Sequence, residues 1–167
     1  DKDQPVQVGY SPAVSGIALN YNRVHFEWRR SSGQYSTTMD ARTAKYRPDV
    51  AMAQMSIANR SSPVFTYTDK GDADNWSVAR GALGSGGARW LPVRKPALYA
   101  ADVLATMAGA QGIRLKPVKV VNRISAGRAL VTHQSAPLRE ILRDMLKYST
   151  NLTAEMMGMA ATVKRRG

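Results

Sequence analysis

The sequence contains no cysteine among its 167 residues. This absence excludes disulfide bonds, zinc sites built on thiolates and cysteine nucleophiles, although it does not indicate a cellular compartment. The sequence also lacks an apolar run long enough to cross a membrane. It opens on Asp1, with no initiator methionine and no signal peptide, which favours mature or excised material.

Acidic residues are few relative to basic ones. Lys and Arg number 24 against 12 Asp and Glu, which gives a formal net charge of +12. Such a charge favours a generally basic surface or a polyanionic partner: nucleic acid, an anionic membrane surface or cell-wall polymer. The basic residues are scattered apart from 164–166, and no nucleic-acid-binding motif is present. We therefore expect no nucleic acid partner.

The first half of the chain has the pattern of short strands. Apolar residues make up 44% of the sequence, which predicts a globular protein with one domain or two small ones. Alternation and turn residues predict a hairpin over 13–32, strands over 35–39, 50–57 and 64–68, a polar turn over 70–75, and a second hairpin joining 76–82 to 88–93. Short strands with frequent turns suit a small sheet or sandwich.

The second half has a mixed pattern. Pro96 precedes a predicted helix over 97–110, and weak alternation predicts strands over 113–121 and 128–132. Two consecutive helices are predicted to follow. The predicted fold class is therefore α+β, with a β-rich part, a helix–strand segment and a helical end.

The strongest helical pattern lies near the C-terminal end of the chain. Ser135 is the predicted N-cap, Pro137 lies in the first turn, and the helix should end near Tyr148. Apolar residues recur at helical spacing in this helix and in the next: Leu138, Ile141, Leu142, Met145 and Leu146, then Leu152, Met156, Met159 and Val163. Ser149 and Asn151 are therefore predicted to lie in a tight turn between two helices, beside the positive end of the second.

The tripeptide Ser149-Thr150-Asn151 has the form S-x-N, the second of three motifs in penicillin-binding proteins and serine β-lactamases. Its surroundings make the match more specific. The matching segments, in chain order, are 10–23, 97–104 with 111–113, 134–138, 145–152 and 154–155. On these residues the sequence resembles the D-alanyl-D-alanine carboxypeptidase/endopeptidase family, the low-molecular-mass class C penicillin-binding proteins. The resemblance covers 5–32 and 96–157.

The resemblance implies a fold and two catalytic residues. In this family a β-rich insertion separates the first motif, S-x-x-K, from S-x-N within a transpeptidase fold shared with β-lactamases. Residues 1–125 would then be part of the inserted domain and its exit, and residues 126–167 the start of the transpeptidase-like catalytic domain. The family's second-motif serine relays a proton between the catalytic lysine and the leaving amine, a role that falls on Ser149. The motif's asparagine bonds the substrate amide and orients the lysine, a role that falls on Asn151.

The same resemblance implies substrates and a location. A serine-type peptidase of this family cleaves peptidoglycan stem peptides through an acyl-enzyme, and β-lactams acylate it in the same manner. It acts in the periplasm or another extracytoplasmic compartment. We expect neither a cofactor nor a metal ion.

Two of the three family motifs are missing from the chain. No serine is followed three residues later by lysine, and neither K-T-G nor K-S-G occurs. We therefore expect an inactive fragment of an enzyme; the alternative is a non-catalytic basic module that binds cell-wall polymer or nucleic acid. The alternative for the motif itself is structural, with Ser149 ending the first helix and Asn151 capping the second.

Other polar residues have simpler interpretations. His25 and His133, the two histidines, lack the spacing of a ligand set or a triad, and a structural role is expected. Asp72 and Asp74 lack the remainder of a calcium loop, which predicts a solvated turn. The glycine-rich segment 81–87 lacks the Gly-Lys-Ser/Thr of a phosphate-binding loop and is predicted to be a β-turn linker.

Overall fold

The computed structural model describes residues 4–121, 123 and 127–166, and it confirms the predicted α+β fold class. Its strands and helices are β1 (Arg23–Ser31), β2 (Gln34–Asp40), β3 (Ala53–Ala58), β4 (Phe65–Lys70), β5 (Ala73–Ala79), β6 (Gly86–Pro92), α1 (Pro96–Ala110), α2 (Leu138–Tyr148) and α3 (Asn151–Arg166). The chain divides into two compact units, Asp1–Val118 and Lys119–Gly167. The domain assignment of 1–125 and 126–167 within a parent enzyme stays a prediction.

The first sheet, sheet A, is antiparallel and has the strand order β2-β1-β6. A two-residue turn joins β1 to β2, and both of its residues, Ser32 and Gly33, have positive φ values of 50° and 80°. Two positive φ values in succession match the right-handed twist of the flanking strands. The register places Arg30 opposite Tyr35 and Trp28 opposite Gly87.

The second sheet, sheet B, has the strand order β3-β5-β4 and is mixed. Strand β5 pairs in parallel with β3 and antiparallel with β4, so it is the central strand. Gly71, in the turn between β4 and β5, has a φ of 56°, a conformation that glycine adopts without steric cost. The predicted strands 35–39, 50–57 and 64–68 correspond to β2, β3 and β4.

One hydrophobic core joins the two sheets and α1. Its members are buried residues from every layer: Val24, Phe26 and Leu91 of sheet A, Phe65, Trp76 and Val78 of sheet B, and Tyr99 and Val103 of α1. The alternation within β1 and β5 places these side chains on one face of each strand. The Tyr99 hydroxyl donates a 2.8 Å hydrogen bond to the carbonyl of Arg23, which fixes α1 against the start of β1.

The predicted first strand of the 13–32 hairpin is wrong, because residues 13–19 form no strand. The chain instead makes a left-handed turn at Asn20, Tyr21 and Asn22, with φ values of 52°, 55° and 50°. The buried Asn22 amide nitrogen donates to the carbonyl of Ala13 at 2.9 Å, and its oxygen accepts from the N–H of Leu19 at 3.2 Å. One side chain thus satisfies backbone groups that a partner strand would otherwise pair.

The predicted hairpin of 76–82 with 88–93 is also wrong. Strand β5 lies in sheet B with a neighbour on each side, and β6 pairs with β1 in sheet A. The segment 80–85, with a 3-10 turn at Arg80–Ala82, carries the chain from one sheet to the other. The glycine-rich segment is therefore a connection between sheets.

Three further predictions in the second half are corrected. Residues 113–121 and 128–132 form no strands, since both segments are exposed and no neighbouring strand pairs with them in the described parts of the chain. Helix α2 begins at Leu138, not after Ser135. The carbonyl of Pro137 accepts the N–H groups of Glu140 and Ile141 at 2.9 and 3.2 Å, so Pro137 occupies the N-cap position.

Candidate functional site

The S-x-N tripeptide lies where α2 ends. Ser149 adopts the left-handed conformation, with φ 51° and ψ 48°, and this stops the helix after Tyr148. The N–H groups of Ser149 and Thr150 both turn back to the carbonyl of Met145. A left-handed residue at a helix end is usually glycine, so serine here carries a steric cost of about 1 kcal/mol.

Helix α3 begins directly after the break. The carbonyl of Thr150 accepts the N–H of Ala154 at 3.1 Å, so Thr150 occupies the N-cap position and Asn151 is the first helical residue. The structural alternative for Asn151, that it caps this helix, is therefore not what the structure has. Leu152 is 7% exposed and anchors the first turn of α3.

The predicted break between two helices is present: Ser149 lies in it, and Asn151 follows it as the first residue of α3. Ser149 and Asn151 are solvent-exposed, and neither side chain hydrogen-bonds another residue in the part of the chain that the structure describes. They stand at the N-terminal end of α3, where unpaired backbone N–H groups and the helix dipole favour a carbonyl oxygen or an anion. Their hydroxyl and carboxamide are free to bond a ligand.

A lysine and one arginine–aspartate ion pair lie close to the break in sequence. Lys147 lies 5.1 Å from the ring centroid of Tyr148, and Arg143 forms a 3.4 Å ion pair with Asp144. The described residues contain no group of three or more His, Asp or Glu side chains placed to hold a metal ion. Across the same residues, no helix has the length and apolarity needed to span a bilayer.

One buried polar site escaped the sequence interpretation. Asp74, predicted to lie in a solvated turn, is completely buried. Its carboxylate accepts hydrogen bonds from the Tyr67 hydroxyl at 3.0 Å and from the backbone N–H of Arg94 at 2.8 Å. Asp74, Trp76 and Val78 alternate along β5, so the spacing of this aspartate from two core residues was a signal that it faces inward.

The fold of this chain is that of part of a solved penicillin-binding protein. The structure is similar to penicillin-binding protein 4 from Haemophilus influenzae, solved in complex with a β-lactam, with a TM-score of 0.61 and 16% sequence identity. The match covers 91% of this chain and 36% of that protein, so the chain spans just over a third of its length. The chain belongs to the D-Ala-D-Ala carboxypeptidase 3 (S13) family, whose model matches residues 2–167. No curated protein gives a significant match.

Proposed function

We propose that the chain is part of a serine-type D-alanyl-D-alanine carboxypeptidase/endopeptidase that cleaves peptidoglycan stem peptides through an acyl-enzyme. The observation that supports this most is the family match over residues 2–167, with S-x-N at a break between two helices. An enzyme with this substrate acts in the periplasm or another extracytoplasmic compartment.

Ser149 and Asn151 would serve the acylation step without being acylated. When the nucleophilic serine attacks the scissile carbonyl, its proton passes to the general base and then to the leaving amine. The Ser149 hydroxyl both donates and accepts, so it can relay that proton. The Asn151 carboxamide can donate to a substrate carbonyl and accept from the catalytic lysine at once. The left-handed backbone of Ser149 and the helical backbone of Asn151 hold the two residues two positions apart at the start of α3.

This chain alone would be inactive, because it has no serine followed three residues later by lysine. We expect no covalent adduct when the 167-residue chain is incubated with labelled penicillin and analysed by mass spectrometry. Stoichiometric labelling would show that the nucleophile has been misassigned.

The decisive experiment uses the parent protein. Ser149→Ala and Asn151→Ala should each lower the penicillin acylation rate by about 10²–10³-fold, since each removes a pre-organised polar group. The double variant should lose little more than either single variant, because groups that act as a unit are not additive. Ser135→Ala, at an exposed serine before α2, is the matched control.

Thermal melts separate this proposal from a purely structural role. A lowered melting temperature with normal acylation of the folded molecules would leave Ser149 and Asn151 as helix-end residues. Loss of acylation with an unchanged melting temperature is the result that we expect.

A further inference from the structure

Two arginines share one tyrosine ring at the end of sheet A. Arg30 stands opposite Tyr35 in the β1–β2 register, and its guanidinium carbon lies 5.8 Å from the ring centroid. Arg80, from the turn after β5, lies 5.7 Å from the same centroid. The Tyr35 hydroxyl donates a 2.7 Å hydrogen bond to the carbonyl of Gly84, which holds the ring in place. We name Arg30, Arg80 and Tyr35 the arginine cluster.

The arginine cluster is not neutralised from within the described chain. Arg30 and Arg80 are both exposed and neither forms an ion pair with another described residue. The acidic residue nearest to them in the β1 sequence, Glu27, is paired with Arg42 at 2.8 Å. Two positive charges held on one ring repel each other, and the negative face of the ring offsets only part of that repulsion. An external anion would stabilise the pair.

A cleft lies beside the cluster. Its volume is about 480 Å³, and it is lined by Glu27, Trp28, Arg29 and the segment 85–88. The backbone N–H of Arg30 donates to the carbonyl of Ser85 at 2.8 Å. Because Ser85 lines the cleft and Arg30 belongs to the arginine cluster, the cleft and the cluster are adjacent. Strand β6 is an edge strand of sheet A, so along the described residues one side of its backbone pairs with no neighbouring strand. The volume suits a ligand of a few residues.

The aromatic side chains here are unsuited to nucleic acid. The Trp28 ring stacks on Phe26, with centroids 5.1 Å apart, and a methyl group placed on Gly87 would lie 2.6 Å from the indole. Both arginines of the cluster lie near the ring of Tyr35. Each ring already contacts protein groups, which disfavours the base stacking on which single-stranded nucleic acid binding relies. Guanidinium groups beside an open strand edge suit instead a short peptide that carries carboxylates.

We propose that this end of sheet A is a second, non-catalytic binding site, which takes the carboxylate-bearing peptides of the cell wall. The identity of the peptide rests on the proposed function. Carboxylates of the peptide would pair with Arg30 and Arg80, while its backbone lies along the edge of β6 in the cleft. The site would hold the enzyme on its polymeric substrate independently of the S-x-N motif.

The test is co-sedimentation of the 167-residue chain with purified peptidoglycan sacculi. Arg30→Gln with Arg80→Gln should weaken binding about tenfold or more, since two charge-assisted contacts are lost. Arg30→Lys with Arg80→Lys keeps the charge but removes the planar fork, so an intermediate loss is expected. Arg128→Gln with Arg139→Gln, two exposed arginines outside the cluster, changes the net charge equally and should have less than about a twofold effect.

Three outcomes would overturn the proposal. Equal losses in the cluster variant and the control variant would mean that only net charge matters. Undiminished binding to sacculi whose carboxylates have been converted to amides would exclude carboxylate recognition. Tighter, cluster-dependent binding to a single-stranded oligonucleotide would replace the peptide with nucleic acid. Circular dichroism melts of every variant ensure that loss of binding is not loss of folding.

A separate measurement keeps this inference distinct from the proposed enzyme function. Penicillin acylation of the parent protein should be unchanged by the two arginine-to-glutamine substitutions, because the cluster takes no part in the chemistry. Normal acylation with normal sacculus binding in that variant would overturn the second site alone. Absence of acylation in the wild-type parent, with cluster-dependent sacculus binding retained, would overturn the enzyme function alone.

Discussion

The Tyr67 hydroxyl donates a hydrogen bond to a carboxylate that has no contact with water, that of Asp74. Burial raises the pKa of Asp74, and the hydrogen bonds from the Arg94 N–H and from Tyr67 oppose that rise only in part. Burial and the neighbouring Asp74 charge also raise the pKa of Tyr67. The charged form of Asp74 is therefore costly in the folded protein.

The first prediction concerns the pH dependence of stability. The folded-state pKa of Asp74 lies above the value of 3.8 expected in the unfolded chain, so the native protein keeps a proton that the unfolded chain releases. The contribution of Asp74 to the free energy of unfolding is largest below pH 3.8 and falls as pH rises to the folded-state pKa. Asp74→Asn should remove this decrease in stability. Urea unfolding of both proteins, at a series of pH values from below 3.8 upward, measures the free energy of unfolding.

The exposed Asp72→Asn variant is the control for this experiment, and its pH profile should parallel that of the wild type. The asparagine at position 74 can still accept from the Arg94 N–H while its amide donates to Tyr67, so the core should stay intact. A wild-type pH profile in Asp74→Asn would refute the role given to this carboxyl.

The second prediction concerns the left-handed turn. Asn22→Ala removes both side-chain hydrogen bonds and keeps a β-carbon at a φ of 50° without the local bonding that asparagine provides, so we expect a loss of about 2–4 kcal/mol. Asn22→Gly removes the same bonds but tolerates the backbone, and should lose about 1 kcal/mol less. Equal losses in the two variants would mean that the backbone conformation costs nothing. Chemical denaturation gives both values.

The third prediction concerns the contact between Trp28 and Gly87. A β-carbon at Gly87 would lie 2.6 Å from the indole ring, so Gly87→Ala should destabilise the protein by about 1–3 kcal/mol and shift the tryptophan fluorescence. A β-carbon added to Gly109 in α1 would meet nothing within 4 Å, and Gly109→Ala should stabilise by about 0.5–1 kcal/mol. A neutral Gly87→Ala would show that the ring moves freely.

The fourth prediction sets stability against activity at one residue. Ser149→Gly relieves the left-handed strain and should raise the free energy of unfolding by about 1 kcal/mol. In the parent protein the same change removes the proposed proton relay, so acylation should fall. Improved stability with undiminished acylation would leave Ser149 as a helix-end residue and nothing more.

Local patterns in the sequence predict the elements that depend on local contacts. Helix α1 is predicted almost to the residue, because Pro96 and the apolar spacing fix it without reference to the rest of the chain. The polar turn predicted over 70–75 is present around Gly71, but it is shorter than predicted because β5 begins at Ala73. The break at Ser149 is predicted from a polar interruption between two apolar stripes.

Pairing between distant strands could not be predicted in the same way. Strands β5 and β6 are neighbours in sequence with glycines between them, which favours a hairpin, yet β5 lies between β3 and β4 in sheet B and β6 pairs with β1 in sheet A. The segment 113–121 has alternation but no strand beside it among the described residues. The positioning of Arg80 on the ring of Tyr35 likewise depends on this topology. The catalytic roles of Ser149 and Asn151 stay a prediction.

The strand order of sheet A affects how the chain acquires its structure. All of sheet B lies between β2 and β6 in the sequence, while β1 needs β6 as its second neighbour. A chain that emerges from its N-terminal end can therefore close the β1–β2 hairpin early, but it cannot complete sheet A until Pro92 has been added. Until then β1 presents an open edge and the Phe26 side chain lacks its full cover. Such long-range closure slows folding and leaves the edge of β1 available for association with other chains until β6 pairs with it.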